Sequence, residues 1–207
     1  MKQSGEKSRD SQSFPFMLFM AFMVRLMNSK YLARSRDEGM EVGGIMNKGR
    51  VWKYGDDVNT DVIFPGKYTY QPMEPAEMAE HSLEDLDPGF AKAVQPGDII
   101  VAGKNFGCGS SREQAATCLK ASGVVAIIAP SFSRLFFRNA INSGLPVIEL
   151  AQGTEAMNTG DEAGVDFSAG IVEHNGVTYR FPPLPPEVLA ILEDGGLIPH
   201  VKKVLGK

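Results

Sequence analysis

Three apolar runs between residues 98 and 150 constrain the fold more than anything else in the chain. They are "DIIVAG", "VVAIIAP" and "LPVIEL", and none shows the alternation of a half-exposed strand. Strands of that kind are covered on both faces, as in a parallel sheet. The segments between them, "SSREQAATCLKASG" and "SFSRLFFRNAINSG", carry apolar residues at helical spacing. The first turns Ala115, Ala116, Leu119 and Cys118 inward; the second turns in Leu135, Phe136 and Ile141. Gly123 and Gly144 end the two helices. Residues 98–150 therefore read β-α-β-α-β, the signature of an α/β domain with a mostly parallel central sheet.

The flanks are less regular. "GRVWKYG" predicts a first strand at Val51 to Tyr54, and "DDVNTD" after it is rich in turn formers. "EPAEMAEHSLEDL" predicts a helix with Pro75 in its first turn and Met78, Ala79, Leu83 and Leu86 on one face. Asp87-Pro88-Gly89 ends it, and "FAKAVQPGD" is a short segment and a turn. Beyond residue 151, Asn175-Gly176 joins "GIVEH" to "VTYRF", a strong hairpin signal. A last helix is expected at about Pro186 to Glu193, stopped by Gly195-Gly196.

The 207 residues suggest one domain, expected at 46–207, preceded by an extension at 1–45 outside the domain. That extension holds the apolar run "FPFMLFMAFMV" at 14–24, shorter than the roughly twenty residues a membrane-spanning helix needs. Lys2, Lys7 and Arg9 precede the run as in an export signal, but no small-residue cleavage pattern follows. A start assigned upstream of the true one at Met46 is the favoured reading. A flexible or interfacial tail and an export signal are the alternatives.

Net charge is −4, with no run of lysine or arginine, so nucleic acid is not an expected partner. Two cysteines form neither a disulfide framework nor a metal site. The three histidines, at 81, 174 and 200, are scattered, and no metal cluster built by this chain alone is expected. A reducing, cytoplasmic setting fits best.

"GKNFGCGSSREQAA", residues 103–116, joins a buried strand to a helix. This is the edge of a parallel sheet where α/β folds place ligands. Helix N-terminal amides and Arg112 both favour an anion there. Three familiar loops are excluded. No lysine follows Gly109 as a phosphate loop requires, "GCGSSR" lacks the third glycine of a dinucleotide turn, and Ser110 is not followed by x-Gly as in a nucleophile elbow. The competing structural reading makes Ser110 or Ser111 a helix cap, with Glu113 or Gln114 completing a capping box.

"GDDVNTDVIFPGKY" together with "VAGKNFGCGSSREQAATCLKASGVVAIIAPSFSRLFFRNAINSGLPVI" resembles the small subunit of the isopropylmalate dehydratase / homoaconitase family, over about residues 50–200. The resemblance implies an aconitase-type swivelling β/β/α domain made as a separate chain. It implies a hydro-lyase of leucine biosynthesis, active only with a large subunit that carries a [4Fe–4S] cluster. The iron would act as a Lewis acid on the departing hydroxyl. The implied substrate is a small 2-hydroxy dicarboxylic acid.

By the family's motif Ser110 would be the base, working as an alkoxide beside a substrate carboxylate. Ser111 and Arg112 would bind that carboxylate, and Asp61 would stand at the active-site edge. Gly107 and Gly109 would let the backbone approach the acid. Tyr68, Thr69, Tyr70 and Gln71 would meet the variable substituent. Homoaconitase-like relatives tend to place an arginine there, and its absence favours an alkyl substituent: isopropylmalate first, dimethylmalate second. Arg134 and Arg138, on the next helix, stay open as alternative cations or as a solvated face. A module that binds a small diacid or a partner chain without catalysis is the non-enzyme alternative.

Overall fold

The computed structural model describes residues 46–206; the apolar run at 14–24 and the extension at 1–45 lie outside the described residues. The chain begins on β1 (Asn47–Lys53). It then passes a one-turn helix α1 (Thr60–Ile63), a 3₁₀ turn (Gly66–Tyr68), α2 (Pro75–Ala79) and α3 (Phe90–Ala93). The predicted core follows as β2 (Ile99–Val101), α4 (Glu113–Ala121), β3 (Ala126–Ala129), α5 (Arg134–Ser143) and β4 (Val147–Glu149). Strands β5 (Glu162–Asp166), β6 (Ile171–His174) and β7 (Val177–Arg180) come next, then helices α6 (Pro186–Glu193) and α7 (Leu197–Val204).

The strands form one sheet in the order β4-β3-β2-β1-β5-β6-β7. Strand β1 is the pivot. Its Val51–Lys53 end pairs in parallel with β2, while Asn47–Arg50 pairs antiparallel with β5. Strands β2, β3 and β4 continue in parallel; β5, β6 and β7 continue antiparallel. The expected α/β domain with a parallel core is thus present, extended by an antiparallel flank. The Asn175-Gly176 turn lies where expected, with both residues at positive φ.

The parallel strands are buried on both faces, which explains their unbroken apolar runs. On one face Trp52, Ile100, Ile127 and Val147 pack under Ala115, Ala116, Cys118 and Leu119 of α4 and Phe136 and Ala140 of α5. On the other, Val51, Ile99, Val101, Ala126, Ile128 and Ile148 meet Met157, Val165, Val172 and Phe181. The antiparallel flank therefore covers the face that α4 and α5 leave free.

Three expectations need correcting. Leu135 does not turn inward: it is 41% exposed, because the buried face of α5 is Phe136 and Ala140, four residues apart. The helix expected over "EPAEMAEHSLEDL" stops at Ala79. Leu83 takes a left-handed φ of 57° so that its side chain is fully buried while its N–H donates to Ile63 O at 2.8 Å. Leu86 is left 41% exposed. Gly195-Gly196 ends α6 as expected, but it also starts α7, which was not foreseen.

Asp98 ties β1 to the entry of β2. Its carboxylate, 4% exposed, accepts from Trp52 Nε1 at 2.7 Å, Arg50 Nη2 at 2.9 Å and Gln95 N at 2.9 Å. Burial pushes the Asp98 carboxyl up, but Trp52, the Gln95 amide and Arg50 together hold it below the ordinary aspartate value. A lowered folded pKa contributes stability above the unfolded value, and that stability is lost as pH falls through the folded pKa. Asp98→Asn should lower stability by about 1–3 kcal/mol near neutral pH. It should also flatten the loss of stability on acidification below about pH 4, measured by urea unfolding across pH.

Candidate active site

The glycine-serine loop leaves β2 at Ala102 and is held on both sides by neighbouring loops. On the side of the "DDVNTD" loop the sheet's pairing continues past the strand ends. Gly103 N donates to Gly55 O (3.0 Å), Asp57 N to Lys104 O (2.8 Å), Gly107 N to Val58 O (2.7 Å) and Thr60 N to Cys108 O (2.8 Å). Thr60, 1% exposed, then donates its hydroxyl to the carbonyl of Ser110 at 2.8 Å. On the side of β3, Phe106 N donates to Ser131 O at 3.1 Å, and Ser133 N donates to Phe106 O at 2.9 Å. Asp57 and Asn105 both take left-handed backbones, φ 55° and 59°, and Asn105 Nδ2 donates to Asp57 Oδ1 at 2.7 Å. Such conformations are uncommon outside glycine, although Asn and Asp accept them best.

Neither serine caps the helix. The residue before α4 is Arg112, and no side chain accepts from the first-turn amides. The capping reading of Ser110 and Ser111 is therefore set aside: Arg112 stands between the serine pair and the helix, and both serines are exposed. The α4 N-terminus keeps its positive end toward the loop.

Arg112 is anchored from the α1 side. Its Nη2 lies 2.5 Å from Asp61 Oδ1, an ion pair without hydrogen-bond alignment, and Nη1 donates to Phe64 O at 3.3 Å. Its side chain is 18% exposed and that of Asp61 is 48% exposed. Gly66 packs on the same guanidinium; a Cβ there would lie 3.4 Å from both Nη atoms. Asp61 is placed by a local cap in which its own amide donates to Asn59 Oδ1 at 2.5 Å. Ser110, Ser111, Arg112 and Asp61 thus share one sheet edge.

The 68–71 segment follows directly. Tyr68 donates its hydroxyl to Glu84 at 3.1 Å and stacks on His81, with ring centroids 3.9 Å apart. Thr69 Oγ1 is buried and makes no hydrogen bond. Tyr70 is 95% exposed, and Gln71 is exposed, its Nε2 donating to Lys67 O at 3.4 Å. Arg134 and Arg138 both stand exposed on α5.

The two glycines, for which one shared role was expected, are packed differently. Gly107, φ +74°, makes room for the Phe136 ring, since a Cβ would lie 2.2 Å from Phe136 Cγ. Internal packing by itself requires glycine at this position. Gly109, φ +89°, would place a Cβ no closer than 3.4 Å, to Thr60 Oγ1, on an exposed stretch. Cys108 is part-exposed with Sγ 3.4 Å from Asp57 O. Cys118 is fully buried, and burial pushes its thiol up to about 12, so it is unreactive near neutrality.

Among the described residues, no group of three His, Cys, Asp or Glu side chains converges to hold a metal ion. The side chains present do not fit an iron–sulfur cluster ligated by this chain. No described helix is long and apolar enough to cross a membrane. A cavity of about 380 Å³ opens between Asn47, Phe167, Leu189 and Leu192, and none of the serine-loop residues lines it.

Sequence reasoning missed Thr60 and Asn59, which it took only as turn formers. An Asn-Thr-Asp stretch is also a helix-cap signal, and that signal could have placed α1.

The packing difference between the glycines is measurable. Gly107→Ala should cost roughly 3 kcal/mol or more, from the clash and the positive φ together. Gly109→Ala should cost only about 1–2 kcal/mol, from φ alone. Equal losses in chemical denaturation would overturn this assignment.

The Aconitase C-terminal domain family matches residues 58–153. The small subunit 2 of 3-isopropylmalate dehydratase from Archaeoglobus fulgidus is 52% identical over 157 residues, 75% of this chain and 94% of that protein. The small subunit 1 from Thermotoga maritima is 52% identical over 160 residues, 76% and 96% of the two chains. A crystal structure of 3-isopropylmalate dehydratase from Methanocaldococcus jannaschii superposes with a TM-score of 0.72 at 42% identity, over 78% of this chain and 96% of that one. With its parallel core, its serine loop at the sheet edge and this identity over nearly the full length of its relatives, the chain belongs to the family of 3-isopropylmalate dehydratase small subunits.

Proposed function

We propose that this chain is the small subunit of a two-subunit hydro-lyase that isomerises isopropylmalate by dehydration and rehydration, as in leucine biosynthesis, and that it supplies the base. The observation that carries this is the fixed placement of Arg112 beside two exposed serines at the sheet edge. Ser110, as an alkoxide, takes the proton from the carbon next to a substrate carboxylate. The electron pair left behind, shared in passing with that carboxylate, forms the carbon–carbon double bond as the hydroxyl leaves the neighbouring carbon as water. Rehydration reverses these bond changes with the hydroxyl on the other carbon. Ser111 and Arg112 hold the carboxylate, where the planar fork of arginine suits its two oxygens. Asp61 steadies the guanidinium from behind. The helix N-terminus and Arg112 provide the positive field that a serine base needs.

The site stands on the surface of this chain, so a second surface must close it against water. The large subunit is that surface, and we assign the iron–sulfur cluster of the family to it. Tyr68, Thr69, Tyr70 and Gln71 face the substituent of the substrate. Lys67, the neighbouring cation, is held by Glu84 at 2.6 Å. A third carboxylate would therefore meet no free charge there, which favours an alkyl group. Residues 46–207 form the swivel unit, the enzyme works in the cytoplasm, and nucleic acid and membrane play no part.

The test is the reconstituted two-subunit enzyme, assayed without oxygen on isopropylmalate, dimethylmalate and homocitrate. Ser110→Ala should lower kcat by about 10²-fold or more with the subunits still associated. Arg112→Lys should lower kcat/KM by roughly ten-fold or more, because an ammonium cannot replace the two-pronged donor. Full turnover by Ser110→Ala would remove the base assignment and leave a binding role. Turnover of homocitrate equal to that of isopropylmalate would remove the alkyl reading.

A further inference from the structure

Glu84 lies outside every motif that identified the site, yet three side chains converge on it. Lys67 Nζ donates at 2.6 Å, Tyr68 Oη at 3.1 Å, and His81 Nδ1 lies at 2.8 Å. The donors are themselves packed together: His81 stacks on the Tyr68 ring with the planes 26° apart, and Lys67 Nζ stands 4.8 Å from the centroid of that ring. The Lys67 hydrogen bond, against a smaller opposing effect of burial, and then those of His81 and Tyr68, hold the Glu84 carboxyl below its usual range. The Glu84 side chain is only 32% exposed, and the cluster draws two separate stretches together, Lys67–Tyr68 and His81–Glu84.

The turn it fixes is the one that touches Arg112. Lys67 and Tyr68 belong to the 3₁₀ turn whose first residue, Gly66, packs on the guanidinium. Phe64, two residues earlier, supplies the carbonyl that Arg112 Nη1 reaches. Thr69, Tyr70 and Gln71 leave from the end of the same turn. A short 3₁₀ turn with no side-chain cap at its start has little stability of its own. What holds it is the Glu84 cluster on one side and the Phe64–Tyr68 ring contact, centroids 6.0 Å apart, on the other.

We propose that Glu84 is a positioning residue: its carboxylate locks the Gly66–Tyr68 turn, and through that turn it sets the Arg112 guanidinium and the segment Thr69–Gln71. The proposal rests on the reading of Arg112 as a carboxylate binder. Because Glu84 acts on binding geometry and not on the proton transfer, its loss should appear in KM more than in kcat.

Glu84→Gln is the variant of choice, since it keeps the shape but cannot accept from three donors or balance Lys67. In the reconstituted enzyme KM for isopropylmalate should rise roughly five-fold, the worth of about one net hydrogen bond, with kcat changed less than about two-fold. Tyr68→Phe should raise KM in the same direction, and the double variant should cost less than the product of the two. Amide hydrogen exchange of the small subunit alone should quicken at residues 66–71 and stay unchanged in β2 and β3. An unchanged KM, or unchanged exchange at 66–71, would overturn the lock, as would a fall in kcat with KM constant. Arg112→Ala, run beside it, separates the two failures. If that variant keeps full kcat/KM, the reading of Arg112 falls. If it collapses while Glu84→Gln binds normally, only the lock falls.

Discussion

Everything at the candidate site depends on one continuous row of backbone hydrogen bonds. The sheet pairing of β1, β2 and β3 does not stop at the strand ends but runs on through the loops that follow them. Gly103, Asp57, Gly107 and Thr60 each contribute a rung, and the Thr60 hydroxyl adds the last one at the carbonyl of Ser110. A loop with three glycines loses much conformational entropy on ordering. Pairing on both sides offsets that loss and gives the serine pair one position. Such placement is what the proposed role of Ser110 as a base would require, since a serine base works only if the surrounding dipoles are already aimed.

The same economy governs Arg112. An arginine at a helix entry would ordinarily sweep through solvent. Here Asp61, Phe64 O and Gly66 confine it, and each of these lies within the short stretch from α1 to the 3₁₀ turn. That stretch is fixed from behind by Leu83, whose backbone reaches Ile63 O, and by Glu84, whose carboxylate collects Lys67, Tyr68 and His81. The region between β1 and β2 thus supplies all three groups that confine this guanidinium. Its helices are all short, five residues or fewer, and the turns between them aim side chains in directions a long helix does not offer.

The core was the most legible part of the molecule. Unbroken apolar runs of β-branched residues can sit only between two covering layers, and glycine after each helical pattern marks the end where a left-handed residue is needed. Both features depend on near neighbours in sequence. The serine loop was legible for a related reason: glycines, hydroxyls and an arginine in a row have few structural uses. The errors fell where distant contacts override local pattern. Leu83 looks like one more helical apolar residue, but burial against the α1 region pulls it into a left-handed turn. Leu135 has the composition of a core residue and the wrong phase relative to Phe136 and Ala140.

The sequence by itself therefore determined the α/β class, the order of the central elements and the identity of the loop residues, because hydrophobic period and turn chemistry are local properties. It also carried the family resemblance, which places Ser110, Ser111, Arg112 and Asp61 in one motif set. Only the tertiary structure decided that β1 joins a parallel half to an antiparallel half, that Gly107 serves Phe136, that neither serine caps α4, and that Lys67, Tyr68 and His81 converge on Glu84. Each of these joins residues far apart in the chain or sets the phase of a side chain. Pairings of that kind are chosen by packing and by the need to satisfy buried polar groups, and no local pattern encodes them.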